Sequence, residues 1–359
     1  MHNSKQDFNK EEYYKILCQE FPEFLTKYLQ LPILKRLSKI GLLCGTDWTT
    51  LYHNNFYYSR LDHSLGVALI IWNFTRNKAQ TIAGLLHDVS SPVFSHVSDF
   101  RKGDALTQTA TEESNCSILR TSSQLLQCLK SDNLSIDEVE NYHIYPVADN
   151  EIPQLSADRL EYMFPSGMAL HGNWTLNEVK SVYDDITILK NENNLDELGF
   201  SSIDKAELYC ERFCGTGHLL QLNENKLTMQ LLGQIMNLSV KEEILSEDDF
   251  MNLGEEEILK KLETNLADPE TASKKRLLRL YKTFRTMTSI EHTDHPLPEE
   301  DYFCIKLKVK QRYINPLVCG KDGDRPRRLS EISEKGKTII QEFLDYNDTE
   351  FGCVKLVSI

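Results

Sequence analysis

Residues 84–96 read GLLHDVSSPVFSH, a segment in which an apolar run ends on adjacent imidazole and carboxylate side chains, His87 and Asp88. The apolar residues before His87 recur every three or four positions, which predicts a helix over 78–88. A buried carboxylate is costly unless it is paired, protonated or bound to a cation. The pair at this helix end therefore indicates either a cap or one part of a cation site.

Ser91 and Pro92 come next, in the order typical of a helix N-cap followed by proline at the first helical position. They predict a second helix over 92–100. His96 and Asp99 would then lie three positions apart on one face of that helix, within reach of each other. A surface histidine followed by an ordinary helical aspartate fits the same spacing.

Helical spacing also dominates the rest of the first 190 residues. Residues 200 to 290 keep this spacing and carry more charge. The helices predicted in the first part of the chain are 10–30, 32–43, 61–76, 78–88, 92–100, 111–130 and 153–163.

The pattern changes beyond Asp301, where Ile305, Leu307 and Val309 alternate with lysines. This two-residue period predicts a half-buried strand. A turn at Asp322-Gly323, a helix over 334–346 and a closing strand over 351–357 are predicted to follow. We therefore expect a mainly α protein in three parts, which are a helical core over 1–190, a helical extension over 191–300 and a small α+β C-terminal lobe over 301–359.

The composition is that of a folded, acidic protein. Hydrophobic residues make up 40% and charged residues 26%, and the formal charge is −14. This charge argues against nucleic acid or an anionic membrane as a general partner, and an anionic substrate would need a local cationic pocket. No run approaches the roughly 18 apolar residues of a membrane span, and the first residues lack the apolar core of a signal peptide.

The nine cysteines are scattered from Cys18 to Cys353 without a compact framework. This distribution predicts reduced thiols and a cytoplasmic location.

His63 and Asp158 extend the set of candidate ligands formed by His87 and Asp88. All four lie on or at the end of predicted helices whose other positions are largely apolar. If they converge, two imidazoles and two carboxylates form a mixed site suited to Mn, Fe, Ni, Co or Zn. Spacing alone does not bring them together, since His63 also fits a core histidine and the His87–Asp88 pair fits a cap.

Three segments resemble, in order, the motifs of HD-domain phosphohydrolases: RLDHSLGV at 60–67, GLLHDVSSPVFSH at 84–96 and ADRLEY at 157–162. The likeness is greatest to the deoxynucleoside triphosphate triphosphohydrolase branch, which includes the SAM-and-HD-domain protein of eukaryotes. PILKRLSKI at 32–40 also resembles the helix before the first histidine motif of that branch. The resemblance spans about residues 30 to 165 and implies an HD-domain helical core with a metal between two halves of a bundle.

The resemblance also implies a role for each matched side chain. His96, with Asp99, is the expected proton-transfer group. Arg60 and Arg159 match phosphate-binding positions, and Tyr162 matches a tyrosine lining the sugar and phosphate site. Ion pairs with Asp62 or Glu161 would explain the arginines equally, and Tyr162 also fits a core position. The implied metal ligands are His63, His87, Asp88 and Asp158.

Three positions depart from the pattern of that branch. Ser91 and Glu112 stand where it has further active-site histidines, and Ser166 stands where it has an aspartate that contacts a sugar hydroxyl. Glu112 or Asp99 could partner His96 in a rearranged acid–base set. Both deoxyribose selection and a nucleotide substrate are therefore open.

Three functions fit these residues. The first is a metal-dependent phosphohydrolase whose small-molecule substrate is a nucleotide, such as a (deoxy)nucleoside triphosphate. The second is a sensor that binds metal and nucleotide without turnover, and the third is a phosphomonoesterase or phosphodiesterase for a smaller ester. The C-terminal lobe resembles appendages with which HD enzymes make oligomer contacts, so we also expect a homo-oligomer.

Three weaker patterns each fit a structural explanation as well as a functional one. Cys210, Cys214 and His218 fit either a zinc site or buried thiols. The segment Glu291–His295 fits a second metal site or a loop. The helix Lys274–Arg285 carries six basic residues, which fit an anionic effector or a solvated face.

Overall fold

Helices form most of the protein, which is represented by a computed structural model that describes residues 8–106, 114–170, 173–320 and 324–359. The expected mainly α class is confirmed. None of the described helices is both long enough and apolar enough to cross a membrane. The described α-helices are α1 (Lys10–Leu17), α2 (Leu25–Leu29), α3 (Pro32–Lys35), α4 (Arg60–Thr75), α5 (Lys78–Leu86), α6 (Val97–Lys102), α7 (Asn115–Thr121), α8 (Ser123–Ser131), α9 (Ala157–Leu170), α10 (Leu176–Tyr183), α11 (Ile203–Gln221), α12 (Asn223–Lys241), α13 (Glu247–Asn252), α14 (Glu255–Asn265), α15 (Ala272–Thr286), α16 (Leu329–Ile332) and α17 (Glu334–Asp345).

Short strands form two sheets in the described residues. One sheet has the order β1-β2-β5-β6, in which only the β2–β5 pair is parallel, and the other is antiparallel with the order β3-β7-β4. Each sheet combines strands from before and after residue 301, so the C-terminal segment is built into the rest of the fold. The boundaries at 190 and 300 stay a prediction. The strands are β1 (Ile186–Lys190), β2 (Asp196–Phe200), β3 (Glu291–Thr293), β4 (Tyr302–Ile305), β5 (Leu317–Val318), β6 (Arg327–Arg328) and β7 (Phe351–Lys355).

Helices α4, α5 and α9 pack together around the motif residues. Ser59 begins α4 with a capping box, in which its hydroxyl accepts from the Asp62 amide and the Asp62 carboxylate accepts from the Ser59 amide. Residues 66–71 of α4 are all buried, as expected of a helix that is covered on every side. The predicted helices over 61–76 and 78–88 correspond to α4 and α5.

Two apolar clusters make up the core. The larger one includes the apolar side chains of α1 to α5 and α9 to α11. The smaller one includes those of α6, α12, α14 and α15, together with Ile305 and Val354 from the β3-β7-β4 sheet. A cavity lies between them, since Leu42 of the larger cluster and Phe100 of the smaller one both line it. The fold thus places a pocket where its two cores meet.

Several predicted helices differ from the observed ones. The helix over 10–30 is split into α1 and α2 around Pro22, and the helix over 32–43 is only one α-helical turn followed by a 3-10 turn at Arg36–Lys39. The helix over 111–130 is split at Ser122, which caps α8, and its first residues lie outside the described part of the chain. Helix α9 continues past the predicted end at residue 163, through Pro165, to Leu170.

The predicted helix over 92–100 is wrong in its first turn. Phe94 and Ser95 have φ angles of 59° and 52°, and α6 begins only at Val97. Ser91 does not cap a helix, because its hydroxyl donates to Asp88 Oδ1 at 2.9 Å. The residues before Val97 therefore form a turn, with His96 directly before the helix.

The C-terminal segment contains a further difference. Strand β4 ends at Ile305, and residues 306–316 have no regular structure although their alternation predicts a strand. The hairpin of β1 and β2 was not predicted from the sequence. The predicted helix over 334–346 and strand over 351–357 correspond to α17 and β7, while Asp322 and Gly323 lie outside the described residues.

The expectation of reduced thiols is wrong for two cysteines. Cys304 and Cys353 occupy directly opposed positions of β4 and β7 and form a disulfide. Their closeness depends on strand pairing across 49 residues of sequence, which spacing cannot show. The other seven cysteines are free thiols.

Glu255 holds the loop that lines one side of the cavity. It is fully buried at the start of α14 and accepts from the Gly41 amide at 3.0 Å and from Trp48 Nε1 at 2.6 Å. Burial raises the pKa of Glu255 to about 7, although these two hydrogen bonds oppose the change. The loop between Gly41 and Trp48 is thus attached to α14 through one carboxyl group.

We predict that this group makes stability depend on pH. A carboxyl whose pKa is about 4.3 unfolded and about 7 folded stabilises the protein fully below pH 4.3, and this contribution is lost as pH rises through 7. The whole loss should be about 4 kcal/mol, because a shift of one pKa unit corresponds to about 1.4 kcal/mol. Urea unfolding of Glu255→Gln between pH 5 and 8 should lack this part of the fall, whereas Glu257→Gln, an exposed position on the same helix, should keep it. An unchanged pH profile in Glu255→Gln would contradict this assignment.

Candidate metal centre

Four side chains from separate parts of the chain converge at one end of the cavity. Helix α4 contributes His63, the end of α5 contributes His87 and the following Asp88, and the first turn of α9 contributes Asp158. His63 Nε2 lies 3.1 Å from Asp158 Oδ1 and 4.0 Å from Asp88 Oδ2. His87 Nε2 lies 3.7 Å from Asp88 Oδ2 and 3.8 Å from Asp158 Oδ1. The structure therefore brings together all four predicted metal ligands.

These distances fit a divalent metal ion. With metal–ligand bonds of about 2.1 Å, neighbouring ligand atoms are about 3 Å apart and opposite ones about 4 Å apart. The four separations fall in this range, and His63, His87 and Asp88 alone already form a group whose ligand atoms lie within 4.8 Å of one another. Two imidazole nitrogens and two carboxylate oxygens are donors suited to transition metals.

Each histidine is oriented by a hydrogen bond at its other nitrogen. His63 Nδ1 lies 2.5 Å from Glu161 Oε2, and His87 Nδ1 lies 2.7 Å from the Gly84 carbonyl oxygen. Because a carbonyl can only accept, His87 Nδ1 carries the proton and leaves Nε2 with a lone pair for the cluster. Partners of this kind set the tautomer and raise the basicity of metal-binding histidines.

Glu161 is the supporting residue that the sequence did not reveal. Its carboxylate has no exposure to solvent and also accepts from the hydroxyls of Tyr58 at 2.6 Å and Tyr13 at 3.1 Å. A Cβ atom at Gly66 would lie 2.3 Å from Glu161 Oε1, so α4 needs a glycine where this carboxylate meets it. Its position one turn after Asp158 is the available signal, although the sequence alone indicates it only as an arginine partner.

The charges of the cluster suit a cation. Burial lowers the pKa of His63, but the Asp158 and Glu161 carboxylates outweigh it and raise the pKa to about 10. Burial raises the pKa values of Asp88 and Asp158, yet Arg60 beside Asp88 and His63 beside Asp158 hold both well below the usual range. Both aspartates are thus ionised at neutral pH.

Arg60 lines the cavity and contacts the cluster directly. Its Nη1 donates to Asp88 Oδ2 at 2.8 Å, and its Nε donates to Ser95 Oγ at 2.8 Å. The ion pair with Asp62 that was one alternative is not formed, because Asp62 is part of the α4 cap and pairs with Lys10. Arg60 therefore positions Asp88 while it faces the cavity.

His96 and Asp99 form the expected pair at another wall of the cavity. His96 Nδ1 lies 2.9 Å from Asp99 Oδ2, and Asp99 is fully buried. Burial lowers the pKa of His96 in spite of this carboxylate, so the imidazole is neutral at physiological pH. A neutral ring that donates through Nδ1 keeps Nε2 as its basic nitrogen. Glu112, the third residue predicted for proton transfer, lies outside the described residues.

The other predicted substrate residues have different surroundings. The Arg159 guanidinium donates to the carbonyl oxygens of Asn150 and Gln154, and Arg159 is not among the described residues that line the cavity. Tyr162 and Ser166 do line it. The Tyr162 hydroxyl is buried and has no hydrogen-bond partner within the described structure, which leaves it available to a bound ligand.

The cavity has a volume of about 200 Å³ and extends from the cluster between apolar walls. Two of its cationic residues, Lys310 and Arg312, come from the irregular segment 306–316. Nothing in the motifs indicated them, because they lie about 150 residues after Asp158. The apolar lining includes Leu42, Leu43, Phe100, Leu170, Leu219, Leu220, Met229 and Val309.

Of the weaker patterns, the one around His292 places three possible metal ligands together in the described residues, His292 with Glu224 and Asp348. Cys210 and Cys214 are buried thiols in α11 and belong to no described cluster of three or more metal ligands. His292 lies between two carboxylates, with Nε2 3.0 Å from Glu224 and Nδ1 3.1 Å from Asp348. Both of its ring nitrogens are thus used in ion pairs that connect β3, α12 and the segment before β7.

No family model matches the chain. The chain is 23% identical over 290 residues to the uncharacterized protein YdhJ of Bacillus subtilis. This match covers 79% of this chain and 81% of that protein. It is 29% identical over 104 residues to a metal-dependent phosphohydrolase, cns2, of Cordyceps militaris. This match covers 29% of this chain and 30% of that protein.

Two solved structures share the fold over nearly the whole chain. A phosphohydrolase from Bacteroides thetaiotaomicron superposes with a TM-score of 0.62 at 13% identity and covers 96% of this chain and 95% of its own. A hypothetical protein from Aquifex aeolicus superposes with a TM-score of 0.61 at 13% identity, with coverage of 94% and 93%. At this level of identity the likeness is one of fold.

We predict that the chain binds one divalent transition-metal ion at this cluster. Equilibrium dialysis with Mn²⁺ and elemental analysis should give one ion per chain, and His87→Ala should weaken binding by at least about 100-fold because a ligand is lost. His143→Ala is the matched control, since this half-exposed histidine pairs with Asp149 and does not line the cavity. Equal metal content in the two variants would overturn the site.

We also predict that Glu161 tunes this site without touching the metal. Glu161→Gln keeps the side-chain size but removes the charge beside His63 Nδ1, and the affinity for Mn²⁺ should fall by about 10- to 100-fold. Tyr13→Phe removes one donor to Glu161 but leaves the Glu161–His63 contact, so its affinity should stay near that of the wild type. Circular dichroism should be measured to check that both variants are folded. An unchanged affinity in Glu161→Gln would refute the role.

Proposed function

We propose that the protein is a metal-dependent phosphohydrolase of the HD superfamily that acts on a small phosphate ester or anhydride. The observation that carries this proposal is the convergence of His63, His87, Asp88 and Asp158 in the same cavity as the His96–Asp99 pair. The ordered motifs support the superfamily. The names of cns2 and of the Bacteroides structure, both phosphohydrolases, support the reaction.

The four converging side chains would hold the metal. A bound divalent ion would polarise a phosphoryl oxygen and lower the pKa of a bound water. The residues around it keep the ligands in the required form: Glu161 and the Gly84 carbonyl orient the two imidazoles, and Arg60 keeps Asp88 ionised. The native ion belongs to the group Mn, Fe, Ni, Co and Zn, because the donors are mixed nitrogen and oxygen.

His96 handles the proton in this proposal. Its neutral imidazole, held by Asp99 through Nδ1, can accept a proton at Nε2 and return it to a leaving oxygen. Tyr162 supplies a hydroxyl that has no protein partner and can donate to a substrate oxygen. The Arg159 guanidinium donates to the Asn150 carbonyl oxygen, so it could bind a phosphate only if this hydrogen bond were broken.

A nucleotide is our proposed substrate. The apolar walls beyond the cluster suit a planar group, and the resemblance to the triphosphohydrolase branch supports a (deoxy)nucleoside phosphate. Ser166 lines the cavity where that branch has an aspartate for the sugar, which favours a different sugar contact. Smaller phosphate monoesters or diesters are the alternative within the same reaction class.

A nucleotide-binding sensor without turnover is the second candidate. The Ser91 hydroxyl bonds Asp88 at the position where the resemblance implies an additional histidine. The cavity therefore has one imidazole fewer for proton transfer, which is the observation that favours binding over catalysis.

We predict metal-dependent turnover that separates these candidates. The protein with Mn²⁺ should hydrolyse at least one member of a panel of ribo- and deoxynucleoside mono- and triphosphates and simple phosphate esters. The double variant His87→Ala/Asp88→Ala should lose activity with its metal, and His96→Gln should keep the metal but lose about 10²- to 10⁴-fold in kcat. His143→Ala should remain active.

The product distribution then identifies the reaction. Release of tripolyphosphate would point to the triphosphohydrolase branch, and release of orthophosphate to a phosphatase. Binding of metal and nucleotide without any product would favour the sensor. Activity that survives the loss of His87 and Asp88 would contradict both candidates.

A further inference from the structure

Lys310 and Arg312 place positive charge on the cavity from a part of the chain far from the motifs. Both line the same cavity as the metal cluster. The alternation in the sequence predicts Lys310 on the solvent side of a strand, but the chain is irregular there, and Val309 and Lys310 both line the cavity. The loss of strand geometry thus brings cationic side chains inside.

The segment that carries these two residues is fixed by its backbone. The Lys310 amide donates to the Ala105 carbonyl at 3.3 Å, and Gln221 Nε2 donates to the Lys310 carbonyl at 3.1 Å. Gln311 Nε2 donates to the Leu344 carbonyl at 3.2 Å, and Ile314 is fully buried. These contacts attach the segment to α11, to α17 and to the chain after α6, so the segment forms one wall of the cavity.

The charge balance of the cavity favours an anion. Asp88 and Asp158 are the only carboxylate residues among the described ones that line it, whereas Arg60, Lys310 and Arg312 are cationic. A divalent metal ion would add two positive charges. The lining would then carry five positive charges against two negative, within a protein whose overall charge is −14. Such a local excess suits a phosphate dianion.

The charge of Arg312 reaches several groups in the cavity. Burial is the largest influence on the pKa values of His96, Tyr162 and Cys44, and the Arg312 guanidinium lowers the pKa of each. Arg312 lines the same cavity as His96 and as Tyr162, whose hydroxyl lacks a partner within the described structure.

We propose that Arg312 and Lys310 bind the substrate phosphate oxygens that face away from the metal ligands. The irregular segment 306–316 then supplies the anion-binding wall of the site. Arg312 is the main contact, because its planar fork can bind two phosphate oxygens, while Lys310 adds a point charge. This inference rests on the proposed phosphohydrolase function and assigns its phosphate-binding residues.

The test measures anion binding separately from turnover. Inorganic pyrophosphate and orthophosphate are titrated by calorimetry into the Mn²⁺-loaded full-length protein. Arg312→Gln should weaken the binding of pyrophosphate by about 10- to 100-fold, as expected when a charged hydrogen-bond donor is lost. Lys310→Gln should weaken it by a smaller factor, and Arg312→Lys should recover only part of the loss.

Lys308→Gln is the matched control, because Lys308 is an exposed residue of the same segment that does not line the cavity. It should bind both anions like the wild type. Metal content is measured for every variant, since the wall should affect the anion and leave Mn²⁺ binding intact. Where turnover exists, Arg312→Gln should raise KM more than it lowers kcat.

The outcomes separate the two claims. Equal pyrophosphate affinity in wild type, Arg312→Gln and Lys308→Gln would overturn the assignment even if the enzyme turns over its substrate. A wild type that binds Mn²⁺ but neither anion would overturn it as well. Pyrophosphate binding that depends on Arg312, in a protein that hydrolyses nothing in the panel, would support the wall and remove the hydrolase proposal alone.

Discussion

Glu161 has no contact with solvent and accepts hydrogen bonds from three parts of the chain: His63 of α4, Tyr13 of α1 and Tyr58 before α4. A buried carboxylate needs such partners, so α1, α4 and α9 must meet at this point. Gly66 is required for the same contact because any side chain there would overlap the carboxylate. The Glu161 carboxylate thus fixes both the packing of the helical core and the orientation of His63, the first predicted metal ligand.

The charged groups of the cavity also depend on contacts between separate parts of the chain. Asp88 Oδ2 lies near His63 and His87 and accepts from Arg60, while Asp88 Oδ1 accepts from Ser91. An acidic protein can present an anion site only where cations are concentrated, and here they come from both ends of the sequence. The residues that we propose for the metal are local to the motifs, and those that we propose for the anion are brought to the cavity by tertiary contacts.

This division explains what could be predicted from the sequence. The motif residues lie in helices whose spacing is visible locally, so α4 and α5 were accessible, whereas the convergence of His63, His87, Asp88 and Asp158 was indicated only by the resemblance of the ordered motifs. The turn at Phe94 and Ser95 was not, because positive φ angles there depend on contacts such as Ser95 with Arg60. The β1–β2 hairpin and the Cys304–Cys353 pair depend on strand pairing, and the wall formed by segment 306–316 depends on distant backbone bonds. Oligomerisation and location stay predictions.

The likeness to solved structures at 13% identity includes the C-terminal segment, since it covers 96% of this chain. A fold kept at this distance can present different side chains on the same cavity walls, and function follows from those side chains. The donors of His63, His87, Asp88 and Asp158, which come from α4, α5 and α9, suit a divalent transition metal. Segment 306–316 has no regular secondary structure, so its side chains can change without breaking a strand, and we infer that sequence changes there can alter anion binding while the predicted metal ligands stay the same.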